Sequence, residues 1–111
     1  MKLSQINDVK SEFGMPMCQL IFDTEEKVPI VKTIAVTNIC VVPERKKSEL
    51  AWRMGKAIME AERDYAYRLF GDKWREHVGP GFDLARNTFV LKNMKIAEQL
   101  RPDLIGAVRG E

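Results

Sequence analysis

The sequence predicts an α+β fold: a small antiparallel β-hairpin or three-stranded sheet covered by a long amphipathic helix, with short N-terminal and C-terminal helices. Two patterns lead to this prediction. Residues 28–42 contain eight β-branched aliphatic side chains, which is typical of strands. From residue 47 to residue 70, apolar side chains recur at helical spacing. With 111 residues, 45% hydrophobic and 31% charged, the chain has room for one domain, 1–111.

The first segment is predicted to be a short helix. Its apolar residues are spaced by three, three and four positions: Leu3, Ile6, Val9 and Phe13. This spacing places them on one helical face. Gly14 suits the residue just after a helix end, and Pro16 prevents the helix from continuing. We therefore expect an N-terminal helix and a boundary at 14–16.

Strands are predicted next. A compact apolar run over 17–22 ends at the charged stretch 23–27, which indicates a strand followed by a solvent-exposed turn. Residues 28–42 are sufficient for one long strand or two short ones. An antiparallel pair centred near residue 29 would place Cys18 opposite Cys40. Because such a pair is not stable alone in water, a helix must cover it.

The long helix has a continuous apolar stripe from Lys47 onward, and Gly71 is expected to end it. The stripe consists of Leu50, Met54, Ile58, Ala61, Tyr65 and Leu69. Successive helical residues are about 100° apart, so a second apolar set lies on the opposite face. This second set consists of Trp52, Met59, Ala66 and Phe70. One face can be buried against the sheet, and the other must meet the last helix, a second copy of the chain or another protein.

Two further helices are predicted after Gly71. A helix of one to two turns runs through Trp74 and Val78, and a break at 79–81 follows it. A last helix is predicted within 83–101, where one stripe contains Val90, Met94, Ala97 and Leu100. Pro102 is expected to bend or end this helix.

The composition gives no indication of catalysis. His77 is the only histidine, the two cysteines are too few for a disulfide scaffold, and no glycine-rich phosphate loop is present. We therefore expect a non-catalytic protein, not an enzyme, with no metal and no cofactor. No stretch approaches the about 20 apolar residues that a membrane span needs, and the first residues lack the apolar run of a signal peptide. These features favour a cytoplasmic protein without membrane contact.

The outer face of the long helix is the first candidate functional site. Trp52, Met59 and Phe70 would anchor a protein interface, because an aromatic residue at an interface centre commonly costs about 2 kcal/mol or more when truncated. Methionine suits such a surface because its side chain adapts its shape, although it is also ordinary core filler. The sequence thus predicts a small regulatory or inhibitory protein that acts through protein–protein association, including self-association as a homo-oligomer. Packing of this face against the last helix is the structural alternative.

A basic helix start is the second candidate site. Arg45, Lys46 and Lys47 form a basic triplet where the strands lead into the long helix, whose first amides are suited to bind phosphate. Lys92 and Lys95 add positive charge to the last helix. The alternative function is therefore nucleic-acid binding through the phosphate backbone of duplex RNA or DNA. The alternative is that these residues are only a solvent-exposed helix start. The formal net charge of +2 is compatible with both interpretations.

The order of short helix, strands, basic residues and long helix over 3–70 resembles the layout of the double-stranded-RNA-binding domain. In that family, lysines at the start of the last helix contact phosphates across a groove. The resemblance implies this role for Lys46 and Lys47. Three features depart from the family pattern: the loop over 24–28 is acidic and lacks its histidine, the sequence does not define a third strand, and the residues after 70 have no counterpart in it.

Overall fold

A computed structural model describes residues 1–36, 43–78, 82–102 and 104, with side chains at 1–36, 49–76, 88–102 and 104. The elements in chain order are β1 (Lys2–Lys10), β2 (Pro16–Asp23), β3 (Ile30–Ala35), α1 (Pro43–Phe70), a 3-10 turn (Gly71–Lys73), α2 (Trp74–Val78) and α3 (Phe82–Leu100). The three strands form one antiparallel sheet in the order β1-β2-β3. The predicted α+β class, with a small sheet and a long helix, is confirmed.

The N-terminal segment is a strand, so the predicted N-terminal helix is wrong. Leu3 lies opposite Phe22. Ile6 lies opposite Leu20, because the register shifts just after Leu3 and β1 takes up one extra residue there. Leu3 and Ile6 are therefore both buried on one face of the sheet, although three positions separate them. A β-bulge thus reproduces the apolar spacing of one helical turn.

The β1–β2 turn is organised around Ser11. Its hydroxyl oxygen accepts hydrogen bonds from the N–H groups of Phe13 (3.3 Å) and Met15 (3.1 Å). The Ser11 carbonyl accepts a hydrogen bond from Gly14 N–H at 2.9 Å. Gly14 has a φ of 80°, a left-handed conformation that glycine adopts without steric cost. The glycine that was predicted to end a helix therefore serves a hairpin turn.

The pairing of β2 with β3 differs from the predicted register. Cys18 lies opposite Ile34, so the predicted Cys18–Cys40 pairing is wrong, and Cys40 itself lies outside the described residues. The physical reason is a tighter turn than the sequence pattern indicated. Lys27 N–H donates to the Thr24 carbonyl at 3.1 Å, which reverses the chain soon after β2 ends.

α3 lies beside β1 and runs parallel to it. The side-chain oxygen of Asn93 accepts a hydrogen bond from Leu3 N–H at 2.8 Å. Just beyond the end of α3, Arg101 Nη1 donates to Asp8 Oδ1 at 3.1 Å. Contacts therefore follow the same order along both elements. The last helix, predicted within 83–101, is confirmed: α3 runs over Phe82–Leu100.

α1 lies beside β3 and runs antiparallel to it. Arg53 Nη1 donates to the Ala35 carbonyl at 2.9 Å, and Arg68 Nη1 donates to the Val28 carbonyl at 2.5 Å. β1 and β3 are parallel to each other because each is antiparallel to β2. It follows that α1 and α3 are antiparallel. Gly71 ends α1 as predicted, with a φ of 58°.

The core lies between the sheet and the two long helices. It consists of Leu3, Ile6, Cys18, Leu20, Phe22, Ile30, Ile34, Met54, Ala57, Ile58, Ala61 and Ala97. The predicted stripe of α1 is confirmed at Met54, Ile58 and Ala61, which are fully buried. Leu69 is exposed because α1 has passed the start of β3 at that point. Within the described part of the chain, no helix is long and apolar enough to cross a membrane.

Candidate functional site

Trp52 is the largest of the exposed apolar side chains on α1, and 64% of it is accessible to solvent. Lys56 lies one helical turn later, where residues share a face. Its Nζ is 5.1 Å from the centroid of the Trp52 ring, within the range of a cation–π contact. We call this pair the Trp52 ridge. It holds an aromatic ring on the outside of the helix, where another molecule can reach it.

The Trp52 ridge lies between two clefts. The strand cleft, about 330 Å³, lies between β3 and α1 and is lined by Lys32, Thr33, Ile34, Ala35, Trp52, Arg53, Lys56, Ala57 and Glu60. The helix cleft, about 370 Å³, lies between α1 and α3 and is lined by Trp52, Gly55, Lys56, Met59 and Val90. A partner that covers the ridge could therefore extend side chains into a cleft on each side of it.

α3 covers only part of the second apolar set of α1, the set that contains Trp52, Met59, Ala66 and Phe70. At Gly55 the two helices approach closely, since a Cβ placed there would lie 3.7 Å from Val90 Cγ1. Met59 is half-buried beside this contact. Trp52 remains exposed, and so does Phe70, of which 41% is accessible. Packing against α3 thus accounts for the middle of this set and leaves both of its ends open.

The three predicted interface anchors are not brought together at one site. Trp52 and Met59 both line the helix cleft. Phe70 is the last residue of α1. At about 1.5 Å per residue, Phe70 lies roughly 27 Å from Trp52 along the helix. Phe70 therefore belongs to a different surface.

The strand cleft carries more positive than negative charge. Lys32, Arg53 and Lys56 line it together with a single acidic residue, Glu60. The Lys32 ammonium group forms an ion pair with the Asp64 carboxylate of α1. Lys56 stays exposed on the ridge. This distribution favours an acidic ligand.

The backbone of β3 has an open side next to the strand cleft. Val36 N–H donates to the Pro16 carbonyl at 3.4 Å, so this pair is hydrogen-bonded across the two strands. Hydrogen-bonded and non-bonded pairs alternate in an antiparallel ladder. The backbone groups of Thr33 and Ala35 therefore point away from β2, and the Ala35 carbonyl accordingly accepts from Arg53. Thr33 lines the strand cleft at this open side.

The β2–β3 turn is held against the far end of α1. Tyr65 Oη donates a hydrogen bond to Glu26 Oε2 at 2.7 Å. This hydrogen bond lowers the pKa of Glu26 below its ordinary value and raises the pKa of Tyr65. Arg68 adds hydrogen bonds to the Val28 and Pro29 carbonyls, at 2.5 and 3.3 Å. These contacts tie the β2–β3 turn to the C-terminal part of α1, at the end of β3 opposite the Arg53–Ala35 contact.

The predicted basic residues lie at one end of the helical layer. The triplet 45–47 belongs to the first turns of α1, and its side chains are outside the described residues. Lys92 and Lys95 are exposed on α3. Gly55 of α1 lies level with Val90 of α3, and the two helices are antiparallel. Lys92 and Lys95 are therefore level with about residues 53 and 50 of α1, one to two helical turns from the triplet.

Two further expectations concern metal binding and catalysis. In residues whose side chains are described, no group of three histidine, cysteine, aspartate or glutamate side chains is placed to hold a metal ion. His77 lies in α2, and its side chain is outside the described residues. Cys18 is buried, and its thiol lies 3.8 Å from Asp8 Oδ1.

Several residues of the two clefts were not identified from the sequence. Lys56 follows Trp52 by four residues in a predicted helix, so this spacing would have indicated their contact. Thr33 and Arg53 could not be recognised in the same way. Their roles depend on which strand lies at the edge of the sheet and on the register of β3, and both follow from tertiary packing.

Comparison with known protein families, curated proteins and solved structures finds no match to this chain. The fold and the site define a two-layer α+β protein with an exposed tryptophan between two clefts.

Proposed function

We propose that the protein is a non-catalytic binding protein of the cytoplasm, of regulatory or inhibitory type, that associates with another protein through the Trp52 ridge. The observation that carries this proposal is the 64% exposure of Trp52. Burial of apolar surface contributes about 25 cal/mol per Å², and tryptophan offers a large surface with few side-chain torsions to fix. A partner that covers the ridge gains this contribution.

The residues around the ridge suit contact with a partner. Lysine, arginine, methionine and small residues predominate among the described residues that line the strand cleft and the helix cleft. Met59 and Lys56 can adapt to the shape of a partner, since both have long and flexible side chains.

Partner capture with matched variants tests this proposal. A tagged protein is incubated with a lysate of its source cells, with and without nuclease, and the retained proteins are quantified. We expect a protein partner that survives nuclease treatment. Trp52→Ala should reduce its affinity by about 30-fold or more, the equivalent of about 2 kcal/mol.

The matched control is Phe13→Ala, which truncates an aromatic side chain that is 88% exposed at the β1–β2 turn. It should leave capture unchanged. Sedimentation of the wild type and of Trp52→Ala reveals self-association through the same ridge. If capture and oligomeric state are both unaffected by Trp52→Ala, the proposal is wrong.

A second candidate function is binding to the phosphate backbone of duplex RNA or DNA. It is supported by the exposure of Lys92 and Lys95 on α3, one to two helical turns from the level of the basic triplet 45–47 of α1. Each phosphate contact that is lost should lower the salt slope of binding by about one. Affinity for a duplex, measured at several salt concentrations for a Lys92→Ala, Lys95→Ala double variant, tests this function. Equal affinity and equal slope would contradict it.

A further inference from the structure

We propose that the strand cleft binds an extended, acidic segment of the protein partner, which adds to the open edge of β3 as a fourth strand. This inference rests on the proposed function, because the segment belongs to the partner that covers the Trp52 ridge. In this mode of recognition, main-chain hydrogen bonds give affinity and pockets for alternate side chains give specificity.

The first support is the hydrogen bonding along β3. Arg53 occupies the Ala35 carbonyl at one end of the strand, and Arg68 occupies the Val28 and Pro29 carbonyls before the other end. Between these positions, the N–H and C=O groups of Thr33 point away from β2. No strand among the described residues pairs with this side of β3. An unpaired strand edge is a template for another strand.

The second support is the shape of the strand cleft. Side chains of an added strand would alternate between the two faces of the extended sheet, so every second one would point toward α1. There the carboxylates of glutamate side chains would meet Lys56 and Arg53, and the alkyl parts of these side chains would lie against Trp52 and Ala57. Ala57 is small, and the cleft measures about 330 Å³. This volume is within the range of ligand-binding clefts, about 300–1,000 Å³.

The third support is charge, which decides between a partner and a second copy of the chain. Asp64 pairs with Lys32, and Glu60 offsets a second basic residue of the cleft, so one net positive charge remains, and Lys56 is exposed. In a symmetric pair of β3 edges, each copy would bring this positive cleft against the positive cleft of the other, and like charges brought together at an interface are destabilising. An acidic segment avoids this repulsion and complements the cleft. The charge of the cleft thus favours an acidic partner segment over a second β3 strand.

The test uses the full chain and a capped nine-residue peptide in which valine and glutamate alternate. Two control peptides are used: one with lysine in place of glutamate, and one with N-methylated backbone amides. We expect the glutamate peptide to bind at least tenfold more tightly than either control. On binding, the N–H groups of Thr33 and Ala35 should become protected from hydrogen exchange, as measured by NMR.

Two variants separate the strand edge from the ridge. Thr33→Pro removes an N–H that points away from β2, so the β2–β3 hydrogen bonds remain. Thr33→Ala keeps that N–H and serves as its matched control. We expect Thr33→Pro to weaken peptide binding at least tenfold more than Thr33→Ala does, because only the proline variant lacks the N–H. Lys56→Glu provides a test that does not alter the strand: it should narrow or reverse the preference for the glutamate peptide over the lysine peptide.

The outcomes distinguish this inference from the proposed function. If Trp52→Ala abolishes partner capture while Thr33→Pro does not change it, the ridge binds a protein and strand addition is wrong. If neither variant changes capture, both proposals are wrong. Strand addition by a partner is also wrong if the chain alone sediments as a dimer in which the Thr33 amide is already protected, because a second copy then occupies the edge.

Discussion

Asn93 and Leu3 are joined by a hydrogen bond between α3 and the edge strand β1, from Leu3 N–H to Asn93 Oδ1 at 2.8 Å. Asn93 is 1% exposed, and its Nδ2 donates to the Phe89 carbonyl at 2.9 Å. A buried amide side chain thus satisfies a backbone group of β1 that β2 does not reach. On the other edge of the sheet, Arg53 donates to the Ala35 carbonyl at the end of β3, and Arg68 donates to the Val28 and Pro29 carbonyls just before β3 begins.

Replacement of Asn93 by alanine should destabilise the protein. The substitution leaves the buried N–H of Leu3 without its acceptor, and an unsatisfied buried group costs about 1–3 kcal/mol. We expect a fall of this size in the free energy of unfolding, measured by urea titration. Asn7→Ala is the control, because Asn7 lies on the same strand and is exposed, and its effect should stay within about 0.5 kcal/mol. Equal effects of the two substitutions would contradict this role.

Gly14→Ala should also destabilise the protein, but through the backbone. An added Cβ at Gly14 has no atom within 4 Å, so no clash contributes. The φ of 80° remains unfavourable for alanine, at a cost of about 1–2 kcal/mol. Thermal unfolding of Gly14→Ala and Gly14→Asn tests this explanation. Asparagine tolerates the left-handed region better, so Gly14→Asn should lose less stability, and equal losses would contradict a backbone origin.

The stripe on α1 could be predicted because helix burial follows local spacing. Ile58→Ala should lower the free energy of unfolding by about 2–5 kcal/mol, since Ile58 is fully buried. Leu69 continues the same spacing but is 44% exposed, so Leu69→Ala should cost far less. Urea titration of both variants measures the difference. A loss at Leu69 as large as that at Ile58 would contradict the observed end of the sheet contact.

The N-terminal strand could not be predicted by the same reasoning. Leu3 and Ile6 have helical spacing, and only the extra residue in β1 places both on the buried face. Nothing local to these residues identifies a bulge, because its position is set by the pairing of β1 with β2. The prediction from local spacing was therefore wrong where tertiary pairing decides the structure.

Only part of the candidate site could be predicted from the sequence, for the same reason. The sequence places Trp52 on the helix face opposite the buried stripe and leaves open whether the last helix covers it; in the structure 64% of Trp52 is exposed. The strand cleft needs the order of the sheet, the register of β3 and the direction of α1. Each of these depends on contacts between residues far apart in the chain. The apolar helix face could thus be predicted from the sequence, whereas the open edge of β3 could not.

The contact between Glu26 and Tyr65 makes the β2–β3 turn sensitive to acid. The hydrogen bond from Tyr65 lowers the pKa of Glu26, so its stabilising effect is present above the ordinary pKa of 4.5 and is lost as the pH falls through the lowered pKa. In Tyr65→Phe the pKa of Glu26 should rise toward its ordinary value. NMR titration of the Glu26 side chain measures the shift. Tyr67→Phe is the control on the same helix, and a shift of equal size in that variant would contradict the assignment.

Trp52→Ala should separate binding from stability. Because 64% of Trp52 is exposed, its truncation removes little buried apolar surface. The free energy of unfolding should change by no more than about 0.5 kcal/mol, the usual range for surface substitutions. Partner capture should nevertheless fall by about 30-fold or more, because the ring is expected to be buried only in the complex. Urea titration and capture are measured on the same preparation. If stability falls by several kcal/mol, Trp52 is a structural residue of the fold, and a loss of capture by this variant no longer identifies an interface.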